Sequence, residues 1–227
     1  LDTGFLNLVQ LRSLLKYSGW QEEHILELRD NFGTDEIRKS LDWLETVADQ
    51  DDVVLFYIQG HSSYLRDGLD WHTFFADEWD DILSQRRVLV IEACQAEEFT
   101  EVTSVDPNSQ LTVASVAADE LGWSGLWEVG MPIVGGVFSH YFLAAFTDPT
   151  ADLDEDGFVS IQESAISADK RQREYMHETI FTVPEFLAMY NAIGIYPERD
   201  QSFPNVVLKD NIGEPVFLNL EAYQFEK

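Results

Sequence analysis

The sequence is poor in cysteine and in basic side chains, and it has no long apolar run. One cysteine among 227 residues permits no intrachain disulfide. No stretch reaches the roughly eighteen apolar residues that a membrane-spanning helix needs, so no membrane span is expected. Only 14 lysines and arginines stand against 42 aspartates and glutamates, for a formal net charge of −28. Such a surface repels phosphate backbones, so we expect no nucleic-acid partner.

Strand patterns alternate with helix patterns along the chain. Hydrophobic residues make up 45% of the sequence, enough for a large core, and the length indicates one domain over 1–227. We predict helices over 5–18, 35–48, 73–84, 134–146 and 183–193. We predict strands over 24–28, 53–60, 86–91, 111–116 and 216–220. This rhythm is typical of a doubly wound α/β sheet with right-handed crossovers.

Two of these strands end in chemically reactive residues. The apolar run VVLFYIQG is followed by His61, and the run RRVLVIEA is followed by Cys94, the only cysteine. Ligands bind at the carboxyl ends of strands in open α/β sheets, so the two residues are expected at one edge. A lone cysteine is more often buried and inert. The joint pattern favours a catalytic pair.

These segments resemble a known group of enzymes. DDVVLFYIQGH and RRVLVIEAC are similar to the histidine and cysteine blocks of the caspase-like cysteine peptidases, and Glu-Ala-Cys is closest to prokaryotic legumain-like members. LTVASVAADELGW resembles the substrate-pocket strand of that branch, and GGVFSHYFLAAF resembles the helix that follows it. The resemblance implies a mostly parallel, doubly wound caspase-like sheet with helices on both faces.

The resemblance also implies an endopeptidase acting on protein or peptide substrates. Cys94 would be the nucleophile and His61 its proton-transfer partner, without a required third acid and without a cofactor for the chemistry. Backbone N–H groups of Ser62 and Cys94 would hold the oxyanion. The alternative is a catalytically inactive caspase-like domain that binds calcium or a partner protein.

The resemblance assigns Glu92, Ser115 and Glu120 to the substrate pocket. The acidic Glu92, Asp119 and Glu120 favour a basic or amide residue before the scissile bond. The alternative is that these carboxylates are simply part of a surface that is acidic everywhere. Trp123 and the nearby Trp127 fit either a wall of the substrate cleft or a hydrophobic plug on the core.

The chain departs from the family pattern near the reactive residues. Ser62 stands where members have glycine after the histidine, and Ala96 and Glu97 stand where they have Ser-Gly after the cysteine. Each of these positions would be strained if its backbone required φ > 0. In the pocket, Leu121 replaces a serine and Gly136 replaces an aspartate.

Residues 152–163, DLDEDGFVSIQE, match an EF-hand loop and predict a structural Ca²⁺ site. The predicted ligands are Asp152, Asp154, Asp156, the Phe158 carbonyl, Ser160 and Glu163. Gly157 falls at the sharp turn of such a loop. The alternative is a solvated acidic turn. Pro149 interrupts the helix that leads into an ordinary EF-hand, which favours a lone loop over a paired sensor.

The family's sheet begins with a strand directly before the first helix, and no counterpart is visible here. The chain starts with Leu1 instead of methionine, which indicates processing or a longer parent sequence. We therefore expect an N-terminal segment before Leu1 to supply the missing strand beside the His61 strand.

Overall fold

The protein is described by a computed structural model that covers residues 4–29, 33–69, 71–100, 109–125, 133–192, 194, 196–197 and 202–224. The helices are α1 (Gly4–Tyr17), α2 (Thr34–Val47), α3 (Ala76–Asp80), α4 (Val137–Ala145), α5 (Ile161–Tyr175) and α6 (Pro184–Ala192). The strands are β1 (Val53–Gln59), β2 (Arg86–Glu92), β3 (Gln110–Ala114), β4 (Ser124–Gly125), β5 (Gly135–Gly136) and β6 (Val207–Asp210). Within these residues no helix has the length and apolar character that crossing a bilayer demands.

The main sheet has the strand order β1-β2-β3-β6. The first three strands are parallel, and β6 runs antiparallel to β3. The predicted mostly parallel sheet with helices on both faces is therefore confirmed. Residues 88–91 of β2 have no exposed surface, which explains why this strand is apolar without alternation.

Each face of the sheet carries its own core. The α2-side core joins Ile37 and Leu41 of α2 to Leu89 and Ile91 of β2. The α1-side core joins Leu11 and Leu15 of α1, together with α4 and α5, to the other face of β2. Successive side chains of a strand point to opposite faces, so one apolar strand supplies both cores.

Two predicted strands are wrong. Residues 24–28 contain the end of a 3₁₀ turn, Glu22–His24, followed by backbone that pairs with no strand among the described residues. Residues 216–220 make only an isolated antiparallel bridge, between Phe217 and Ser160, while the antiparallel strand is β6. Alternation measures one-sided burial, and it does not show whether a hydrogen-bonding neighbour exists.

Two helical regions also differ from the prediction. The crossover before β2 begins with a π-helical turn, Trp71–Phe75, continues into α3 and ends at Asp80, short of the predicted 84. Helix α5 was not predicted, because its sequence IQESAISADKRQREY is mostly polar. A capping box at Ser160 and Glu163 starts it, and Ile161, Ala165 and Ala168 form its buried stripe.

Distant parts of the chain meet beside the first helix. The indole N–H of Trp20 donates to the carbonyl of Leu218 at 2.8 Å, across 198 residues of sequence. The N–H of Leu220 donates to the carbonyl of Ser18 at 3.1 Å. The C-terminal region therefore fixes the end of α1.

Candidate active site

The register of β1 and β2 brings His61 and Cys94 to the same edge of the sheet. Gln59 pairs with Glu92, and the N–H of Gly60 continues the ladder by donating to the Glu92 carbonyl at 3.0 Å. His61 and Cys94 each follow two residues after that pair. Two neighbouring parallel strands therefore end side by side in an imidazole and a thiol.

The loop that carries Cys94 is tightly held. Gln95 adopts a left-handed conformation with φ 56°, and its N–H donates to the Glu120 carbonyl at 2.7 Å. A 3₁₀ turn, Ala96–Phe99, follows. The N–H of Glu97 donates to the Val116 carbonyl at 3.1 Å, and the Glu97 carboxylate accepts from the N–H of Ala118 at 3.1 Å. The loop after β3 thus supports the cysteine loop through the backbone.

The left-handed residue, Gln95, does not stand at any of the positions where the resembled family has glycine. Among the described residues, Gln95 and Glu155 are the non-glycine residues with positive φ. Ser62, Ala96 and Glu97 therefore have ordinary backbone conformations. Their lack of glycine imposes no strain of the kind that the sequence comparison raised.

Gly122 is a close neighbour of Cys94 that the sequence did not reveal. Its carbonyl lies 3.9 Å from the Cys94 Sγ. A Cβ at this residue would lie 2.9 Å from the Ala93 carbonyl oxygen and 3.3 Å from the Cys94 nitrogen. Only glycine allows the loop after β3 to approach the partly buried thiol this closely.

His61 is held less firmly than Cys94. Its side chain is exposed, and its carbonyl accepts from the N–H groups of Tyr64 and Leu65 at 3.0 and 3.4 Å. These bonds form the beginning of the helical turn that follows β1. No described group fixes the imidazole ring by a hydrogen bond, so the ring can reorient.

The Glu92 carboxyl lies inside the protein, at the start of α4. Its side chain is 5% exposed and accepts hydrogen bonds from the backbone N–H of Ser139 at 3.4 Å and from the Ser139 hydroxyl. Tyr57 contacts the same hydroxyl. Burial raises the pKa of Glu92 to about 7, against the hydrogen bonds from Ser139.

The position of the Glu92 carboxyl also explains why residue 136 is a glycine. A Cβ at residue 136 would lie 1.9 Å from a Glu92 carboxyl oxygen, so the carboxyl occupies the space of that missing side chain. The Asn7 Oδ1 accepts from the N–H of Gly136 at 2.9 Å and from the Gln59 side chain at 3.4 Å. Neither Asn7 nor Ser139 was identified from the sequence, because isolated polar residues in helices carry no distinctive pattern.

The other two predicted pocket residues also bond to the protein itself. Ser115 is 1% exposed and donates to the Ala93 carbonyl at 3.4 Å. Glu120 is 6% exposed and accepts from the backbone and side-chain amides of Asn205 at 2.8 and 2.7 Å. Burial raises the pKa of Glu120 as well. Asp119, which precedes Glu120 in the loop after β3, is exposed.

An aromatic cluster lies beside the thiol. It consists of Tyr175, Phe181, Tyr190 and Phe203, with Trp123 and Phe186 packed against it. The Trp123 and Tyr190 ring centroids are 5.9 Å apart, so Trp123 packs on this cluster. Burial is the main cause of the raised pKa of Tyr190, and the proximity of Cys94 contributes further. Trp127 lies outside the described residues.

The acidic loop, residues 152–163, is compact. The carboxylate oxygens of Asp152, Asp154 and Asp156 lie within 4.8 Å of one another. The Asp152 carboxylate accepts from the N–H groups of Asp156 and Gly157 at 3.2 and 3.0 Å. Gly157 has φ 93°, which suits glycine at a sharp turn. Burial and the neighbouring carboxylates raise the pKa of Asp156.

Glu163, at the start of α5, connects the two ends of this loop. Its carboxylate accepts from the N–H of Leu153 at 2.7 Å and from the N–H of Ser160 at 2.8 Å. Burial opposes ionisation of Glu163, yet these hydrogen bonds lower its pKa overall. Several hard oxygen ligands close together match the preference of Ca²⁺, so these residues fit that ion.

Comparison with known proteins shows a likeness of fold. No protein-family profile matches the sequence, and no curated protein sequence matches it. Among solved structures, the chain is similar to the crystal structure of caspase-1 from Spodoptera frugiperda, with a TM-score of 0.56 and 12% sequence identity. The similarity covers 94% of this chain and 80% of that chain. The closer resemblance to legumain-like members stays a prediction. The chain has a caspase-like fold, with a mostly parallel sheet between two layers of helices.

Proposed function

We propose that this protein is a cysteine endopeptidase that uses Cys94 as nucleophile and His61 as general base and acid. One observation carries the proposal: in a caspase-like fold, the parallel register of β1 and β2 ends the two strands side by side in these residues. The thiol lies in a rigid loop and the imidazole is free to turn, which suits a residue that both takes and returns a proton.

The proposed reaction has two stages. His61 takes the proton of the Cys94 thiol, and the sulfur attacks the carbonyl carbon of the scissile peptide bond. The N–H groups of Cys94 and Ser62 stabilise the oxyanion, and no described group accepts from the N–H of Cys94. His61 then protonates the leaving amine. Water, deprotonated by His61, attacks the thioester and releases the acid product and the free thiol.

A basic or amide residue before the scissile bond is part of the proposal. Glu92 and Glu120 bond within the protein, whereas Asp119 is exposed and can meet a positively charged substrate side chain.

The test is digestion of a peptide library by the wild type and by Cys94→Ala. We expect cleavage by the wild type alone, enriched for basic or amide residues before the cut, and wild-type labelling at Cys94 by a thiol-reactive peptide probe. Equal digestion by both proteins, or no digestion by either, would favour the inactive binding domain. Equal melting temperatures would show that the substitution leaves the fold intact.

We also propose a structural Ca²⁺ site in residues 152–163, held by Asp152, Asp154 and Asp156, the Phe158 carbonyl, Ser160 and Glu163. The clustered aspartate oxygens support it. The loop contacts the C-terminal region, because the N–H of Ile161 donates to the Val216 carbonyl at 2.7 Å. Bound calcium would neutralise the carboxylates and fix this contact.

The calcium site is tested by melting the protein in calcium and in chelator. Calcium at a hundredfold excess over its dissociation constant adds about 2.7 kcal/mol, a rise in melting temperature of about 5–10 °C for a chain of this size. Glu163→Gln should reduce the difference between the two conditions. Glu155→Gln, in the same loop but outside the ligand positions, should retain it. No calcium-dependent difference in the wild type would reduce the loop to an acidic turn.

A further inference from the structure

One side chain connects the loop after β1 with the loop after β2. Arg66 lies in the π-helical turn Tyr64–Gly68, which follows β1. Its guanidinium donates to the Glu98 carboxylate and to the Gln95 Oε1, the latter at 3.4 Å. It also lies over the Phe99 ring, with its central carbon 5.8 Å from the ring centroid. One residue of the first loop therefore contacts three residues of the second.

The turn that carries Arg66 is bonded directly to His61. The His61 carbonyl accepts from the N–H groups of Tyr64 and Leu65 at 3.0 and 3.4 Å. The N–H of Leu69 donates to the Tyr64 carbonyl at 3.1 Å and closes the same turn. The backbone of His61 and the turn therefore form one unit, and a displacement of the turn moves His61 with it.

On the other side, Arg66 contacts the residue directly after the candidate nucleophile. Gln95 follows Cys94 and has the left-handed φ of 56°. A residue with a side chain keeps this conformation only where its surroundings hold it. The N–H of Gln95 is held by the Glu120 carbonyl at 2.7 Å, and its side chain accepts from Arg66. Arg66 thus acts at the residue where the cysteine loop turns away from β2.

The two loops also share an apolar layer under this polar contact. Leu65 and Phe99 are buried in the α2-side core. The indole N–H of Trp71 donates to the Phe99 carbonyl at 2.8 Å. These contacts hold both loops on the core whether or not Arg66 is present. Arg66 acts above them, at the exposed surface where the His61 side chain lies.

We propose that Arg66 is a positioning residue, which holds the His61 loop against the Cys94 loop so that the imidazole meets the thiol. This role rests on the proposed peptidase function. Exposed ion pairs contribute little to stability. A misplacement of about 1 Å between reacting groups, in contrast, can cost about 10²-fold in rate. Loss of Arg66 therefore affects the reaction much more than the fold.

Steady-state kinetics of Arg66→Ala test this role on a cleaved peptide. Arg38→Ala is the matched control, because Arg38 pairs with Glu78 at 3.3 Å and lies over the Phe74 ring at 4.6 Å. We expect kcat to fall about 10-fold or more in Arg66→Ala with KM unchanged. Arg38→Ala should keep both wild-type values, and all three proteins should melt alike. A raised KM with unchanged kcat would make Arg66 a substrate-binding residue and would overturn the proposal.

Labelling of Cys94 by iodoacetamide gives a readout that does not need peptide cleavage. A thiol paired with an imidazole reacts at neutral pH, whereas at pH 10 a thiol ionises without a partner. We expect Arg66→Ala and His61→Ala each to slow labelling about 10-fold at pH 7 and to leave it unchanged at pH 10. Adding Arg66→Ala to His61→Ala should slow it no further, because Arg66 acts through the histidine.

The labelling rates also separate the failure of this proposal from the failure of the proposed function. If His61→Ala slows labelling at pH 7 and Arg66→Ala does not, the pairing of His61 with Cys94 stands and the role of Arg66 is wrong. Further slowing by Arg66→Ala in the His61→Ala background would mean that Arg66 acts on the thiol directly, which also overturns it. If neither single variant slows labelling, the pairing itself is wrong, and the role of Arg66 falls with it.

Discussion

The two halves of the candidate site are built differently. Cys94 follows a strand that is fully enclosed, and backbone bonds from Gln95 and Glu97 to the loop after β3 fix its loop. His61 follows an edge strand beside an open groove, and its side chain is exposed. Backbone hydrogen bonds hold the thiol half in place. The His61 ring makes no hydrogen bond to a described group.

The largest effect should come from removing the His61 imidazole. If His61 transfers protons, His61→Ala should lower the cleavage rate about 10²- to 10⁴-fold and slow labelling of Cys94 at neutral pH. His24→Ala, which removes another exposed histidine, should leave both rates unchanged. Labelling that is equally fast in His61→Ala would show that the thiol acts without this partner.

The buried acid of the thiol half should show itself in the pH dependence of stability. Folding raises the pKa of Glu92 from 4.5 to about 7, so the folded chain holds a proton that the unfolded chain has released between these pH values. Stability therefore falls as pH rises through this window, by about 3 kcal/mol from this group. Glu92→Gln keeps the bonds to Ser139 without the charge, so it should be more stable than wild type at pH 8.

Urea unfolding at pH 5 and pH 8 measures this difference. The gap in unfolding free energy between Glu92→Gln and wild type should grow with pH. The exposed Glu23→Gln serves as control and should follow the wild type. A gap that does not change with pH would mean that Glu92 is ionised in the folded protein.

A pair of glycine substitutions compares the packing of the two halves directly. In Gly122→Ala the new methyl group meets the Ala93 carbonyl at 2.9 Å, so we expect a loss of about 1–3 kcal/mol and lower activity. In Gly60→Ala, directly before His61, the methyl group meets no atom within 4 Å, so the change should stay within about 0.5 kcal/mol. Equal losses, measured by thermal unfolding, would contradict the difference in packing.

The smallest effect should come from restoring the family's glycine. Ser62 has no positive φ, so Ser62→Gly relieves no strain and costs about 0.5–1 kcal/mol through the flexibility of glycine. Cleavage should not become faster. A clear gain in rate would show that the serine restricts the oxyanion position.

The sequence was sufficient to predict the three parallel strands and to place His61 and Cys94 after two of them. The apolar runs of β2 and β3 correspond to nearly complete burial, whereas β1 is mostly half-buried. Helix α5 and strand β6 were missed because their stability comes from contacts across the chain. The polar sequence of α5 hides its narrow stripe at Ile161, Ala165 and Ala168.

The details of the site were less predictable for the same reason. Gly122 matters because another loop passes within contact distance, and Glu92 is buried because Gly136 leaves space for it. Both facts concern pairs of residues distant in sequence. No local pattern encodes them.

The bond between the Trp20 indole and the Leu218 carbonyl has a consequence for biosynthesis. A ribosome delivers Leu218 198 residues after Trp20, so the contact cannot form until all the residues between them have emerged. Until then the end of α1 lacks this anchor. The helix is therefore anchored there only after every strand of the main sheet described here has been synthesised.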